Sequence, residues 1–321
     1  MLHHHNSLNH NKSKWILLIG IAVITVLLSG CVAQAAPRVY RVGILSGLDF
    51  VADITDGFKV KMAELGYVEG QNITYDVQTT NFDRATYKKI LQKFVDDKVD
   101  LILVFPTEAS LEAKLATQGT DIPVVFTHTL IDGTDLVKSE HEPGGNMTGV
   151  RFPGPDIAIK RFNIMRELAP QAKRMWVPYQ KDYPTVNPQL EILRPAAAAA
   201  GVILLEAPAN NAAELEADLQ ARVKGDDPGL DAILLLAEPL AVTSDSFAVM
   251  GKFAHEHELP IGGSLVSAGG YASIFGVNVN TVETGKQAAC LADKILKGTP
   301  AGAIPVVSSD SYLQINYDAA P

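Results

Sequence analysis

The residues of this 321-residue chain that could do chemistry form no catalytic set. His255-Glu256-His257-Glu258 carries the ingredients of a zinc hydrolase. Helical zinc sites of that kind place their histidines at i and i+4 on one face, whereas the second imidazole here is at i+2. Gly262-Gly263-Ser264-Leu265-Val266 sets a serine among glycines, but valine stands where a nucleophile elbow needs its final glycine. No phosphate-cradling glycine loop follows any apolar run. The chain is therefore not expected to be an enzyme, and neither a metal nor a cofactor is expected. What remains is binding chemistry. Acids, hydroxyls and phenols sit just after short apolar runs, as in Thr107-Glu108, Tyr179, Asp182-Tyr183 and Glu238. Such groups can hydrogen-bond a small polar molecule and balance its charge.

Composition narrows the class further. A chain that is 47% hydrophobic has ample material for a packed core and room for two domains. Its net charge of −9 gives no basic footprint, so nucleic acid is excluded as a partner. At the start, Lys12 and Lys14 precede an almost unbroken apolar stretch from Trp15 to Leu28, followed by Leu28-Ser29-Gly30-Cys31. The apolar stretch has the length of a signal-peptide h-region and falls short of the ~20 residues a membrane span needs. The tetrapeptide resembles the bacterial lipobox, which implies cleavage before Cys31 and lipidation of its thiol. Residues 1–30 are thus expected to be a lipoprotein signal peptide, with 31–37 a linker. His3-His4-His5 leaves with that leader and is not read as a metal site. Once Cys31 is acylated only Cys290 is left, so no intramolecular disulfide can form. Cys290 lies in an Ala-rich helical pattern and is expected to be small and buried.

Stepping along the rest of the chain gives an alternation of strands and helices. Val39–Ser46, Asn72–Thr79, Leu101–Phe105 and Ile122–Phe126 read as strands, separated by helical patterns over 51–65, 83–97 and 107–117. After the Pro/Gly-rich stretch 143–155 the rhythm resumes. Strands are expected at 175–179, 202–206, 232–236, 261–265, 273–277 and 312–316. Helices are expected at 155–168, 190–200, 212–224, 244–257 and 282–297. Short, wholly apolar runs such as Leu101–Phe105 suit parallel strands covered on both faces, and right-handed βαβ crossovers join them. The fold class is α/β, with two doubly wound, Rossmann-like lobes in series.

Three segments carry a family resemblance. Leu65-Gly66-Tyr67-Val68-Glu69-Gly70-Gln71-Asn72, Pro143-Gly144-Gly145-Asn146-Met147-Thr148-Gly149-Val150 and Asp293-Lys294-Ile295-Leu296-Lys297-Gly298 occur in order. They are similar to segments of the ABC-transporter substrate-binding family that includes tryptophan and tyrosine binders. The resemblance covers 39–320 and implies the type I periplasmic-binding-protein fold, its lobes joined by three crossovers. It places 38–150 with 278–304 in one lobe and 151–277 with 305–321 in the other. It also implies an extracytoplasmic monomer that delivers a small molecule to an ABC permease and its ATPase while a lipid anchor holds it to a bacterial membrane. The alternative is a lipoprotein that presents its ligand to a membrane sensor. The motifs themselves read as structural, with Gly66 placed to cap a helix in the left-handed conformation.

In open α/β sheets ligands bind beyond the carboxyl ends of the strands. That rule selects Ser46, Leu48, Asp49 and Phe50 after the first strand, Thr107 and Glu108 after the third, and Thr127 and Thr129 after the fourth. From the second lobe it selects Tyr179, Asp182, Tyr183, Glu238 and Ser264, with Asn278 reaching in from a crossover. Thr107, at a helix N-terminus, either caps that helix or meets a ligand carboxylate. Glu108 replaces the family's usual proline, and Gln180-Lys181 replaces a common Asn-Pro pair, so the family's aromatic specificity is not carried over.

Overall fold

The computed structural model describes residues 38–80 and 83–318, the Phe50 side chain excepted. The leader, Cys31 and the linker 31–37 lie outside the described residues. From the amino end come β1 (Tyr40–Ser46), α1 (Asp53–Glu64), β2 (Ile73–Thr79), α2 (Arg84–Asp96) and β3 (Leu101–Phe105). α3 (Thr107–Ala116), β4 (Val124–Thr129) and β5 (Met147–Arg151) follow. The five strands pair in parallel in the order β5-β4-β3-β1-β2. β3 is buried at every residue because helices cover both faces, while β2, at the edge, is only partly covered. On one face Ile44, Leu103 and Phe105 pack on Ile54 and Phe58 of α1. On the other, Ile102, Val104 and Phe126 pack on Tyr87 and Phe94 of α2 and Ala109 of α3.

The pattern is then built a second time. α4 (Gly154–Leu168), β6 (Arg174–Gln180), α5 (Val186–Ala199), β7 (Ile203–Ala209) and α6 (Ala212–Arg222) lead to β8 (Ala232–Leu234), α7 (Ser244–Glu256) and β9 (Ile261–Gly262). Their sheet is parallel, in the order β7-β6-β8-β9. α4 and α5 cover one face through Phe162, Met165, Leu190 and Leu193, and α6 and α7 cover the other through Leu215, Leu219, Phe247 and Met250. A small hairpin, β10 (Ser267–Ala268) with β11 (Tyr271–Ala272), precedes β12 (Phe275–Val279). The chain then forms α8 (Thr281–Leu296), β13 (Val307–Ser308) and β14 (Ser311–Ile315).

The last elements tie the halves together. α8 packs through Ala288, Ala289, Leu291 and Ala292 on the first sheet, and β13 extends that sheet beside β5. β14 returns to pair antiparallel with β12. The chain therefore crosses between the two halves three times, near 152, 280 and 309. Three expected boundaries need correction. Arg151, Val307 and Ser308, expected in the second lobe, belong to the first sheet as the end of β5 and as β13, whereas Asn278 and Val279, expected in the first lobe, lie in β12 beside β14. The stretch 143–155 also holds more than a crossover, since Met147–Val150 is a fully buried strand between β4 and β13.

Two of the motif segments meet in space. Gly66 ends α1 with φ +94°, a conformation that disfavours a Cβ. The turn it starts is closed by Asn72, whose amide donates to Gly66 O at 2.9 Å and whose oxygen accepts from Val68 N at 2.7 Å. The Tyr67 hydroxyl then donates to Asp293 at 3.0 Å, joining this turn to the end of α8. Cys290 departs from expectation and is exposed. Gly285, Ala288, Ala289 and Ala292 form the buried stripe of α8, at the i, i+3, i+4, i+7 spacing of one helical face, and position 290 falls opposite it. Among the described residues no helix is long and apolar enough to cross a membrane.

Candidate functional site

Each sheet reverses its strand order beside its first strand, at β2-β1-β3 and at β7-β6-β8. Chains leaving the strands on either side of such a reversal diverge to opposite faces and open a crevice at the carboxyl ends. The two crevices face one another and together enclose a cleft of about 520 Å³, within the range of about 300–1,000 Å³ usual for small-molecule sites. The first sheet and the loops leaving it contribute Leu48, Val51, Pro106 and Thr107, with His128 from β4 and Leu130 just beyond it. The second contributes Tyr183, Thr185, Glu238 and Ser264, and Asn278 and Tyr312 close the crossover side.

Six of the residues selected from sequence line this cleft: Leu48, Thr107, Tyr183, Glu238, Ser264 and Asn278. The others stand elsewhere. Ser46 and Thr127 are buried with hydroxyls that lack a partner. Thr129 is spent on Ser110 Oγ and Thr127 O, both at 2.8 Å. Asp49 and Asp182 are exposed, and Tyr179 donates to Glu206 on the neighbouring strand at 3.2 Å. The Phe50 side chain lies outside the described residues. Glu108 is buried just behind the cleft wall, and its Oε2 has no hydrogen-bond partner.

Thr107 is not a cap. It is the first residue of α3, preceded by Pro106 at the cap position, and its hydroxyl accepts from the buried Leu130 N at 3.0 Å. That bond ties the α3 start to the loop after β4. Thr107→Ala leaves the Leu130 N–H buried and unpaired and should cost about 1–3 kcal/mol. Urea unfolding measures this, and Thr107→Ser should restore most of it. Equal stability of the alanine variant would remove the bond from the account.

Two polar cleft residues, His128 and Arg161, escaped the strand-end rule. β4 shifts register between Thr127 and Thr129, and His128 takes φ +47° at the irregularity. With both threonines turned inward, alternation turns His128 out to the cleft, where its ring tilts against Phe152 at a centroid distance of 4.8 Å. Burial of its nitrogens holds the pKa down to about 4, with Asp53 opposing, so the imidazole is neutral at pH 7. Nδ1 has no partner.

Arg161 lies mid-helix, in α4, where the strand-end rule does not reach. It occupies the same face as the buried Ile157, Ala158, Phe162 and Met165. A charge on an apolar stripe is the signal that would have found it. Its side chain is 2% exposed. Nε and Nη2 donate to Val277 O at 3.2 and 2.8 Å, Nη1 to Leu235 O at 3.1 Å, and Nη2 also to Asn278 Oδ1 at 3.3 Å. Burial lowers its pKa to about 9, with Glu238 opposing.

Glu238, 6% exposed, accepts from Gln180 N and Leu240 N on Oε2, at 3.0 and 2.9 Å, and from Ala241 N on Oε1 at 2.7 Å. Burial raises its pKa to about 7 against the pull of these three backbone donors and of Arg161. Tyr183 also has its phenol pKa pushed up, by burial first and then by Glu108 at the start of α3, through its charge and a side-chain hydrogen bond. The cleft is thus largely apolar, with one buried cation and one buried acid on the same wall.

Both the sequence and the fold have known relatives. The chain is 29% identical over 266 residues to a tyrosine-binding protein of Clostridioides difficile, covering 82% of this chain and 74% of that one. A conserved domain protein from Vibrio cholerae superposes with a TM-score of 0.76 at 25% identity, over 88% of this chain and 94% of the other. The ligand-free, open structure of a substrate binding protein with adhesive properties from Clostridium difficile gives 0.69 at 25% identity, over 88% and 93%. The family model for ABC transporter substrate binding proteins matches residues 43–321, and the chain belongs to that family.

Proposed function

We propose that this chain is the lipid-anchored, extracytoplasmic binding component of an ABC importer, which captures an amino-acid-like molecule between two closing lobes. The first lobe is 38–151 with 280–308, and the second is 152–279 with 309–318. The observation that carries the reading is the cleft itself, where the order reversals of both sheets face one another across buried charged groups. The tyrosine-binding relative supports an amino acid as the class of ligand. The permease and ATPase are the partners the family implies, with the protein working as a monomer. Thermal unfolding in the presence of each of the twenty L-amino acids tests the ligand class. A rise in melting temperature with at least one is expected, and no rise with any would overturn that class.

Anchoring has its own test. Cys31 follows a lipobox-like tetrapeptide, and two or more acyl chains are needed for firm membrane attachment. Cys31→Ser should move the protein from the membrane fraction to the soluble fraction or stall it with its leader uncleaved. Wild-type protein recovered wholly soluble, with an unmodified thiol at its start, would sink the lipoprotein reading.

A further inference from the structure

Arg161 is a buried guanidinium whose hydrogen bonds all go to neutral acceptors, and among the described residues no carboxylate lies within 4 Å of it. Its five N–H groups can be accounted for one at a time. Nε is committed to Val277 O, both hydrogens of Nη2 to Val277 O and Asn278 Oδ1, and one hydrogen of Nη1 to Leu235 O. One Nη1–H is left, and the residue lines the cleft. An isolated buried charge is costly, so an anion placed on that hydrogen is favoured well beyond an ordinary hydrogen bond.

Glu238 presents the complement on the same wall. Each carboxylate oxygen has two lone-pair positions. Those of Oε2 take Gln180 N and Leu240 N, whereas Oε1 takes Ala241 N alone. One acceptor position remains, on a side chain that lines the same cleft. Arg161 and Glu238 influence one another electrostatically without forming an ion pair. Each therefore has one hydrogen-bonding position open to a third group. A carboxylate and an ammonium on a single carbon supply the matching acceptor and donors.

We propose that Arg161 and Glu238 hold the head group of an α-amino acid, its carboxylate on the free Nη1–H of Arg161 and its ammonium on Oε1 of Glu238. This rests on the amino-acid reading above and moves the ligand's acid from Thr107, whose hydroxyl is engaged with Leu130 N, to the opposite wall. The ligand's side chain then faces Leu48, His128, Leu130 and Phe152. Asn278 acts as a positioning residue, since its amide donates to Gln314 at 3.2 Å and thereby turns Oδ1 toward Arg161.

The experiment is calorimetric titration with the amino acid that binds tightest of the twenty, its decarboxylated amine and its deaminated acid. L-tyrosine with tyramine and 3-(4-hydroxyphenyl)propionate is the first set. On the wild type, each analogue should bind at least about 30-fold more weakly than the amino acid. Arg161→Gln should weaken the amino acid about 100-fold, the usual range for a lost charge-assisted hydrogen bond in a buried site. The same variant should leave the amine within threefold, because the amine carries no carboxylate to lose. Glu238→Gln should weaken the amino acid and spare the deaminated acid. A general loss of fold would instead lower all three ligands together, and that result overturns the assignment. Equal binding of amino acid and amine by the wild type overturns it too, even if neither variant folds. Both of those outcomes leave the amino-acid reading standing, whereas no binding by any of the twenty overturns both.

Discussion

Gly285→Ala should lower the melting temperature by roughly 6–12 °C, the shift expected when about 3 kcal/mol is lost from a chain of this size. Helix propensity alone points the other way, because alanine in a helix interior is favoured over glycine by up to about 1 kcal/mol. Geometry decides the sign. A Cβ on Gly285 would stand 2.1 Å from Ile54 O and 2.8 Å from Phe58 N. One on Gly57 would stand 2.1 Å from Val282 O. The contacts are reciprocal, each glycine of one helix meeting the backbone three residues before the glycine of the other, so α1 and α8 touch main chain to main chain. No rotamer change relieves a clash with a carbonyl, and the helices must separate. Because α8 directly follows β12, the displacement would reach the second crossover as well. Gly57→Ala should behave like Gly285→Ala. Gly66→Ala is the control, with open space around its Cβ and only the left-handed φ to strain. It should cost about 1 kcal/mol. A Gly285→Ala protein that melts at or above the wild-type temperature would refute the close approach.

How much of this was legible beforehand follows from the length scale of each signal. Leu101–Phe105 and Ala232–Leu234 were readable because strands covered on both faces need continuous apolar runs. β13 was not, since two residues of ladder, Val307 and Ser308, leave no periodicity to detect. β5 was hidden by the prolines and glycines on either side of it, which mark turns while the four residues Met147–Val150 span the sheet. The site shows the same division. Residues at the carboxyl ends of strands beside the order reversals, Leu48, Thr107, Tyr183 and Glu238, are found by topology alone. Which neighbour faces the cleft is not, because Thr127 and Thr129 turn into the core and leave His128 between them on the cleft side. Arg161 lies on a helix, outside the strand-end rule altogether, and enters the cleft by reaching beneath β12.

The second large effect expected is closure on the ligand. Two walls that face each other across a cleft gain contacts together only when the lobes approach, so a ligand touching both favours the closed form by its differential affinity. Glu108 and Tyr183 form one contact that depends on that approach. They belong to opposite lobes, and Glu108 acts on the Tyr183 phenol through its charge and a side-chain hydrogen bond. A bond of that kind contributes about 0.5–1.5 kcal/mol and is lost when the lobes separate, so it stabilises the closed form. At a free ligand concentration of 100 times Kd, stability should rise by about 2.7 kcal/mol, or roughly 5–11 °C in melting temperature. Small-angle scattering should show a smaller radius of gyration in the same solutions. Tyr183→Phe should keep the unliganded melting temperature within about 4 °C, since an isolated hydroxyl loss costs about 1 kcal/mol. It should bind about tenfold more weakly, as expected when the closed state loses about 1.4 kcal/mol relative to the open one, and compact less at equal saturation. Tight binding with an unchanged scattering radius, and with ligand contacts confined to one lobe, would show that the two lobes do not work as a clamp.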